Sequence, residues 1–185
     1  RKRFEQIKVP LVACLMLLLV FLGLVFYPTP SPITPFSTTQ FTMGLSGGTE
    51  LLVILMFLIV AEVGYMVGGI FLGNAKGMTG AILHIVNDAL MTLCLFLVVA
   101  AIDYRHGSVS LVSLQGIYHR MPWNMAAFTV GAFAMIGVPP TCGFFSKWYL
   151  ILGGVDAGHW EFVAALVASS LVNAILFFRI IELAY

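Results

Sequence analysis

Residues 51–73 read LLVILMFLIVAEVGYMVGGIFLG, residues 74–77 read NAKG, and residues 78–102 read MTGAILHIVNDALMTLCLFLVVAAI. These two apolar runs decide the fold class. A hydrocarbon core about 30 Å thick takes roughly 20 apolar residues of helix, and backbone left unpaired in lipid excludes an open sheet. Each run therefore predicts a membrane-spanning helix. The Gly73-Asn74-Ala75-Lys76-Gly77 connection leaves room only for a tight turn, so the two helices are expected to pack as an antiparallel hairpin. Gly64 with Gly68, and Gly69 with Gly73, give a GxxxG-type spacing that suggests close packing of the first of them.

Outward from this hairpin, residues 9–27, 123–138 and 161–183 meet the same criterion, giving about five spans in an all-α integral membrane protein. A further piece, 143–152, is apolar but too short to cross alone. Pro28, Pro30, Pro32 and Pro35 with Ser, Thr and Gly make 28–48 an uncharged, exposed connector. The organisation expected is an N-terminal helix with its connector over 1–49, then a membrane domain over 50–185. The chain opens on Arg1 rather than Met, which points to a processed or partial product. Arg1, Lys2, Arg3 and Lys8 precede the first run as in a signal sequence. That run has no small-residue cleavage pattern, so a retained helix is expected. Those four charges and Lys76 place the N-terminus in the cytoplasm, with Arg105 and Arg120 in the opposite loop pulling the other way.

Composition agrees with this class. Hydrophobic residues make up 61% and charged ones 9% of the chain, and the net charge is +1; a soluble domain has just under half and about a quarter. No basic, aromatic-studded surface speaks for nucleic acid. Cys14, Cys94 and Cys142 lie far apart without CxxC spacing, and the four histidines form no HExxH, so neither a metal site nor a hydrolase is indicated.

The informative residues are the ionisable ones inside the apolar runs. Glu62 lies mid-span, where a charge costs several kcal/mol unless paired or hydrated, so it should face inward. His84, Asp88 and Thr92 recur at i, i+4 and i+8 along one stripe with Asn87 beside it, and a histidine one turn from a buried carboxyl can relay protons. The alternative is that His84 and Asp88 bond each other and only hold helices together. In Gly137-Val138-Pro139-Pro140-Thr141-Cys142-Gly143-Phe144-Phe145-Ser146-Lys147, two prolines between glycines must break a helix. Broken helices bare carbonyls and amides that line transport sites, and a lysine held there can exchange a proton. The competing reading is a Lys147 that snorkels to the interface. Arg179 and Glu182 are spaced to pair with each other. Asp103, Arg105, His106, His119, Arg120, Asp156 and His159 are expected in connectors, and Trp123, Trp148, Tyr149 and Trp160 at segment ends as interfacial anchors.

The run MPWNMAAF at 121–128, continued through GVPPTCGFFSKWYL at 137–150, closely resembles the D component of Mrp-type sodium/proton antiporters. More distantly it is similar to the antiporter-like membrane subunits of respiratory complex I and membrane-bound hydrogenases. HIVNDALMT at 84–92, EVGY at 62–65 and the terminal SLVN and RIIE stretches fit the same family in the same order. The likeness spans about 50–185 and corresponds to the later half of the antiporter-like fold; the family's earlier half, with its glutamate and first lysine, has no counterpart in it. The resemblance implies a central hydrophilic axis that carries protons, with Lys147 in the place of the lysine on the broken helix and His84 in that of an axis histidine. Asp88 stands where a second histidine is expected, Thr92 where lysine is frequent, Glu62 where glutamine is common and Leu52 where a basic residue is common.

Residues and resemblance together lead to an expectation of a proton-translocating or cation/proton antiporter-like subunit of a multisubunit complex, most simply in a bacterial inner membrane. Lys147, His84, Asp88 and Glu62 are the proton-transfer residues, and other membrane subunits, the bilayer, protons and a cation such as sodium are the partners. No cofactor and no enzymatic reaction of its own are expected. Two alternatives stand beside it: a non-conducting structural or assembly subunit of a respiratory or photosynthetic complex, and a membrane enzyme acting on lipid through His84 and Asp88.

Overall fold

The computed structural model describes residues 50–185. The expected helix at 9–27, the connector at 28–48 and the basic N-terminus lie outside the described residues. Within them the chain forms α1 (Glu50–Phe71), α2 (Ala75–His106), a 3-10 turn (Ile117–His119), α3 (Pro122–Ile136), α4 (Cys142–Asp156) and α5 (Trp160–Ala184). Helices α1, α2 and α5 are each long and apolar enough to cross a membrane.

Local chemistry sets the boundaries. Gly73 takes the left-handed turn at φ +67°, a backbone conformation that glycine adopts without penalty. Asn74 then caps α2 by accepting from Gly77 N at 2.7 Å, as a side-chain oxygen does for orphan amides. The predicted hairpin is therefore present. α2 nonetheless runs further than 78–102, because no breaker intervenes before Gly107. Asp103, Arg105 and His106 thus belong to its last turn and not to a connector. At 32 residues it is about 48 Å long, so its ends rise beyond the hydrocarbon core.

The helix break falls where the prolines demanded it. α3 ends at Ile136, Gly137 closes it at φ +90°, and α4 starts again at Cys142. Each piece has 15 residues, about 22 Å, so 123–138, expected as a span of its own, is too short to cross alone, as is expected of 143–152. They run the same way, antiparallel to α2. Descending α2, Leu95 and Cys94 meet Gly131 and Ala127, Asn87 meets Cys142, His84 meets Ser146 and Gly77 meets Gly153. α3 and α4 are thus two halves of one crossing. α4 extends through Asp156, so Trp148 and Tyr149 sit in mid-helix and not at a segment end; Trp148 stacks on Phe144 with ring centroids 5.9 Å apart.

α5 returns antiparallel to α1: Phe162 covers Gly68, Ser169 meets Tyr65 and Asn173 meets Glu62. Adjacent Gly68 and Gly69, rather than a four-residue glycine pair, supply the close approach on α1, and Gly73 serves the turn. One apolar core joins α1, α2, α3 and α5 through Leu55, Leu95, Phe128 and Phe177, while a smaller one around Tyr65, Leu150 and Phe162 lies toward the hairpin. Between the two sits a polar layer.

Candidate functional site

The polar layer is built from four helices. Glu62 on α1 is fully buried, as are His84 on α2 and Asn173 on α5, and Lys147 on α4 is 5% exposed. One Glu62 oxygen, Oε1, accepts from Lys147 Nζ at 3.1 Å and from Asn173 Nδ2 at 2.8 Å. The other, Oε2, lies 2.9 Å from His84 Nε2, but out of line for a good hydrogen bond, so this is a close contact and not an aligned bond. Burying such charges costs several kcal/mol per ion unless they pair and their remaining donors are satisfied. Convergence of these groups meets that demand at Oε1, while Oε2 and His84 Nε2 remain without an aligned partner.

Lys147 reaches the site because the helix breaks. Its ammonium donates to the carbonyl of Met135 at 2.6 Å, in the last turn of α3, where carbonyls have no intrahelical partner. It also lies 5.0 Å from the centroid of the Tyr65 ring, within cation–π range. Lys147 is therefore enclosed, and snorkelling to the interface does not occur. Tyr65 itself donates to Ser169 Oγ at 2.5 Å.

His84 is held from its other side. Ser146 Oγ donates to Gly143 O at 3.0 Å and stands 2.9 Å from His84 Nδ1. A hydroxyl has one proton to give. With that proton on Gly143, Nδ1 must be the donor to Ser146, which turns Nε2 toward Glu62.

Of the four residues singled out in the sequence, Glu62, His84 and Lys147 come together. Asp88 does not join them by a direct bond. It is 7% exposed, and Thr92 Oγ1 donates to it at 3.4 Å. His84 and Asp88 do not bond each other, because both histidine nitrogens face elsewhere. Asn87 donates to Cys142 O at 2.9 Å, fastening the first residue of α4 to α2. Asn173, Ser146, Tyr65 and Ser169 join the site although their residue types and positions did not single them out. A lone amide within the apolar run 161–183 was the available signal for Asn173. Arg179 and Glu182 pair at 2.7 Å as their spacing predicts.

A cleft of about 170 Å³ between the break and α5 reaches Lys147, and Gly137, Phe144, Trp148, Leu166 and Ser170 line it as well. Asn173 Oδ1, Ser170 Oγ and Thr141 Oγ1 are buried without a hydrogen-bond partner. Among the described residues no three His, Cys, Asp or Glu side chains converge as metal ligation requires.

Known proteins resemble this chain in sequence. Residues 42–172 match the family described as NADH:quinone oxidoreductase/Mrp antiporter, TM. The chain is 46% identical over 126 residues to NADH-quinone oxidoreductase subunit N of Desulforudis audaxviator, covering 68% of this chain and 25% of that protein. It is 33% identical over 119 residues to NADH-quinone oxidoreductase subunit N 2 of Solidesulfovibrio magneticus, covering 64% and 26%. A subunit N of Rhodospirillum rubrum is 31% identical over 127 residues, covering 68% and 26%. The chain spans about a quarter of the length of these curated relatives, and their names are those of subunit N, not of an Mrp antiporter component. With the match extending over well more than half its residues, the chain belongs to the NADH:quinone oxidoreductase/Mrp antiporter transmembrane family.

Proposed function

We propose that residues 50–185 form an antiporter-like proton-translocating domain, working with other membrane subunits of a redox-driven complex in a bacterial inner membrane. The observation that carries this reading is the buried Glu62 carboxylate, 3.1 Å from Lys147 Nζ and 2.9 Å from His84 Nε2. Three groups that each gain or lose a proton are drawn from three helices to one point, where charge without a task is rare. A small swing of the His84 ring would bring Nε2 and Glu62 Oε2 into line, and a proton could then pass between them. The charge state of Lys147 weighs on that transfer, since neighbouring charges set which form of an acid is favoured. Asp88, one turn from His84 on α2, is the next station.

The relatives' printed names, NADH-quinone oxidoreductase subunit N, support a respiratory complex as the setting. The likeness of the FFSK stretch to Mrp-type sodium/proton antiporters keeps sodium in view as the exchanged cation. A non-conducting scaffold is the second reading, favoured by Asp88 having Thr92 rather than His84 as its bonded neighbour and by Thr92 standing in place of a lysine.

Reconstitution of the intact protein in its complex into vesicles, with an internal pH dye, separates these readings. Lys147→Met and Glu62→Gln are expected each to abolish proton uptake, and Asp88→Asn to reduce it, with assembly retained. Unchanged uptake in all three variants would leave only the scaffold.

A further inference from the structure

The described residues include five Lys and Arg side chains, and three of them have an acid. Lys76 pairs with Asp156 at 2.7 Å, Lys147 with Glu62 at 3.1 Å and Arg179 with Glu182 at 2.7 Å. Arg105 and Arg120 have none among the described residues, and they share one cleft of about 320 Å³ with Tyr104, Met121, Trp123 and Asn124. Asp103, the acid nearest in sequence, is exposed and pairs with neither. Two guanidinium groups lining one concavity with no acid between them among the described residues raise its positive potential and favour an anion there.

We infer that this cleft, between the last turn of α2 and the first of α3, binds the phosphate of an anionic phospholipid headgroup. Guanidinium matches phosphate oxygens bidentately and is the favoured side chain for that task. The start of α3 adds to the same field: Pro122 stands in its first turn, and Met121 supplies no side-chain cap for the amides that follow, leaving them directed outward with the positive end of the helix dipole. A lipid rather than free phosphate follows from the rim. Trp123 is 86% and Tyr104 94% exposed at the ends of membrane helices, where such rings favour the headgroup layer.

The test is phospholipid retention by the intact protein in its complex, purified from membranes and read by native mass spectrometry, with phosphatidylglycerol and phosphatidylcholine as probes. Near a membrane surface each arginine contributes about 1 kcal/mol toward anionic lipid, so Arg105→Gln/Arg120→Gln is expected to weaken phosphatidylglycerol retention roughly 30-fold, the equivalent of about 2 kcal/mol. Arg179→Gln, which removes a paired arginine, should retain it. Each single variant should lose an intermediate amount, which guards against a double variant that fails to assemble. Equal retention by wild type and double variant would overturn the inference. So would equal preference for phosphatidylcholine, or full displacement by millimolar inorganic phosphate, which would mark a site for the free anion.

Discussion

α3 and α4 are the same length, lie end to end and face the same partner, yet they are held to it by different means. α3 buries Met125, Phe128, Gly131, Ala132, Ala134 and Met135; against α2 the Leu95 and Cys94 side chains cover Gly131, so side-chain volume fills an apolar seam. α4 meets α2 through Ser146 against His84, Gly153 against Gly77 and Leu150 against Gly80, where backbones approach closely, and its Lys147 carries charge across to α1. In lipid no hydrophobic force draws helices together, so close packing of small residues and hydrogen bonds must do so. The half-helix that carries the ionisable residue is thus also the one bound by the tightest contacts.

The sharpest way to break this contrast is at Lys147. Replacing it with Met leaves Glu62 without its ammonium, and stripping one partner from a buried pair costs about 3–5 kcal/mol. Denaturant unfolding of the reconstituted protein should show that loss, and Glu62→Gln combined with Lys147→Met should recover most of it. A double variant as unstable as the single one would mean the pair is not coupled. Next come the glycines. A Cβ on Gly143 would collide with the Ala134 carbonyl oxygen, whereas one on Gly131 would meet side chains alone, Leu95 at 3.2 Å and Cys94 at 3.6 Å. Gly143→Ala should therefore cost about 3 kcal/mol and Gly131→Ala under about 1 kcal/mol, since backbone cannot yield as a side chain does. Equal costs for the two would erase the distinction between the half-helices. Ser146→Ala removes the partner of His84 Nδ1 and should cost about 1–2 kcal/mol. It should also slow proton uptake several-fold by freeing the imidazole to take its other tautomer, a change visible in the nitrogen NMR shifts of His84. At the far end of α4, Asp156→Asn unmakes the half-exposed pair with Lys76 and should shift stability by about 0.2–1 kcal/mol, a loss that salt screens in the wild type.

The sequence disclosed the parts of this layout that depend on local chemistry. Run length announced the spans, Gly73 to Gly77 announced the hairpin, and Pro139-Pro140 announced the break. Tertiary choices were less legible. The i, i+4 stripe put His84 and Asp88 on one line, but spacing on a single helix says nothing of which neighbour each will meet. In the bundle His84 turns to Glu62 and Ser146 on other helices, while Asp88 keeps Thr92, its neighbour on the same stripe. Asn173 escaped notice because one amide in an apolar helix has meaning only once the carboxylate opposite it is known. Likewise the extension of α2 through Asp103 and Arg105 shows that charge alone does not end a helix whose ends already stand clear of the hydrocarbon.

The bond from Lys147 to the Met135 carbonyl has a mechanical side. An ammonium has three protons to donate, and here one fastens the cut end of α3 while another goes to an acid on α1. The nitrogen is thus a rivet through the fracture, and its fit depends on ionisation. Withdrawing a proton from it would slacken the joint between the two half-helices and release the acid together, so that a change in charge at one atom becomes a change in the stiffness of a whole crossing.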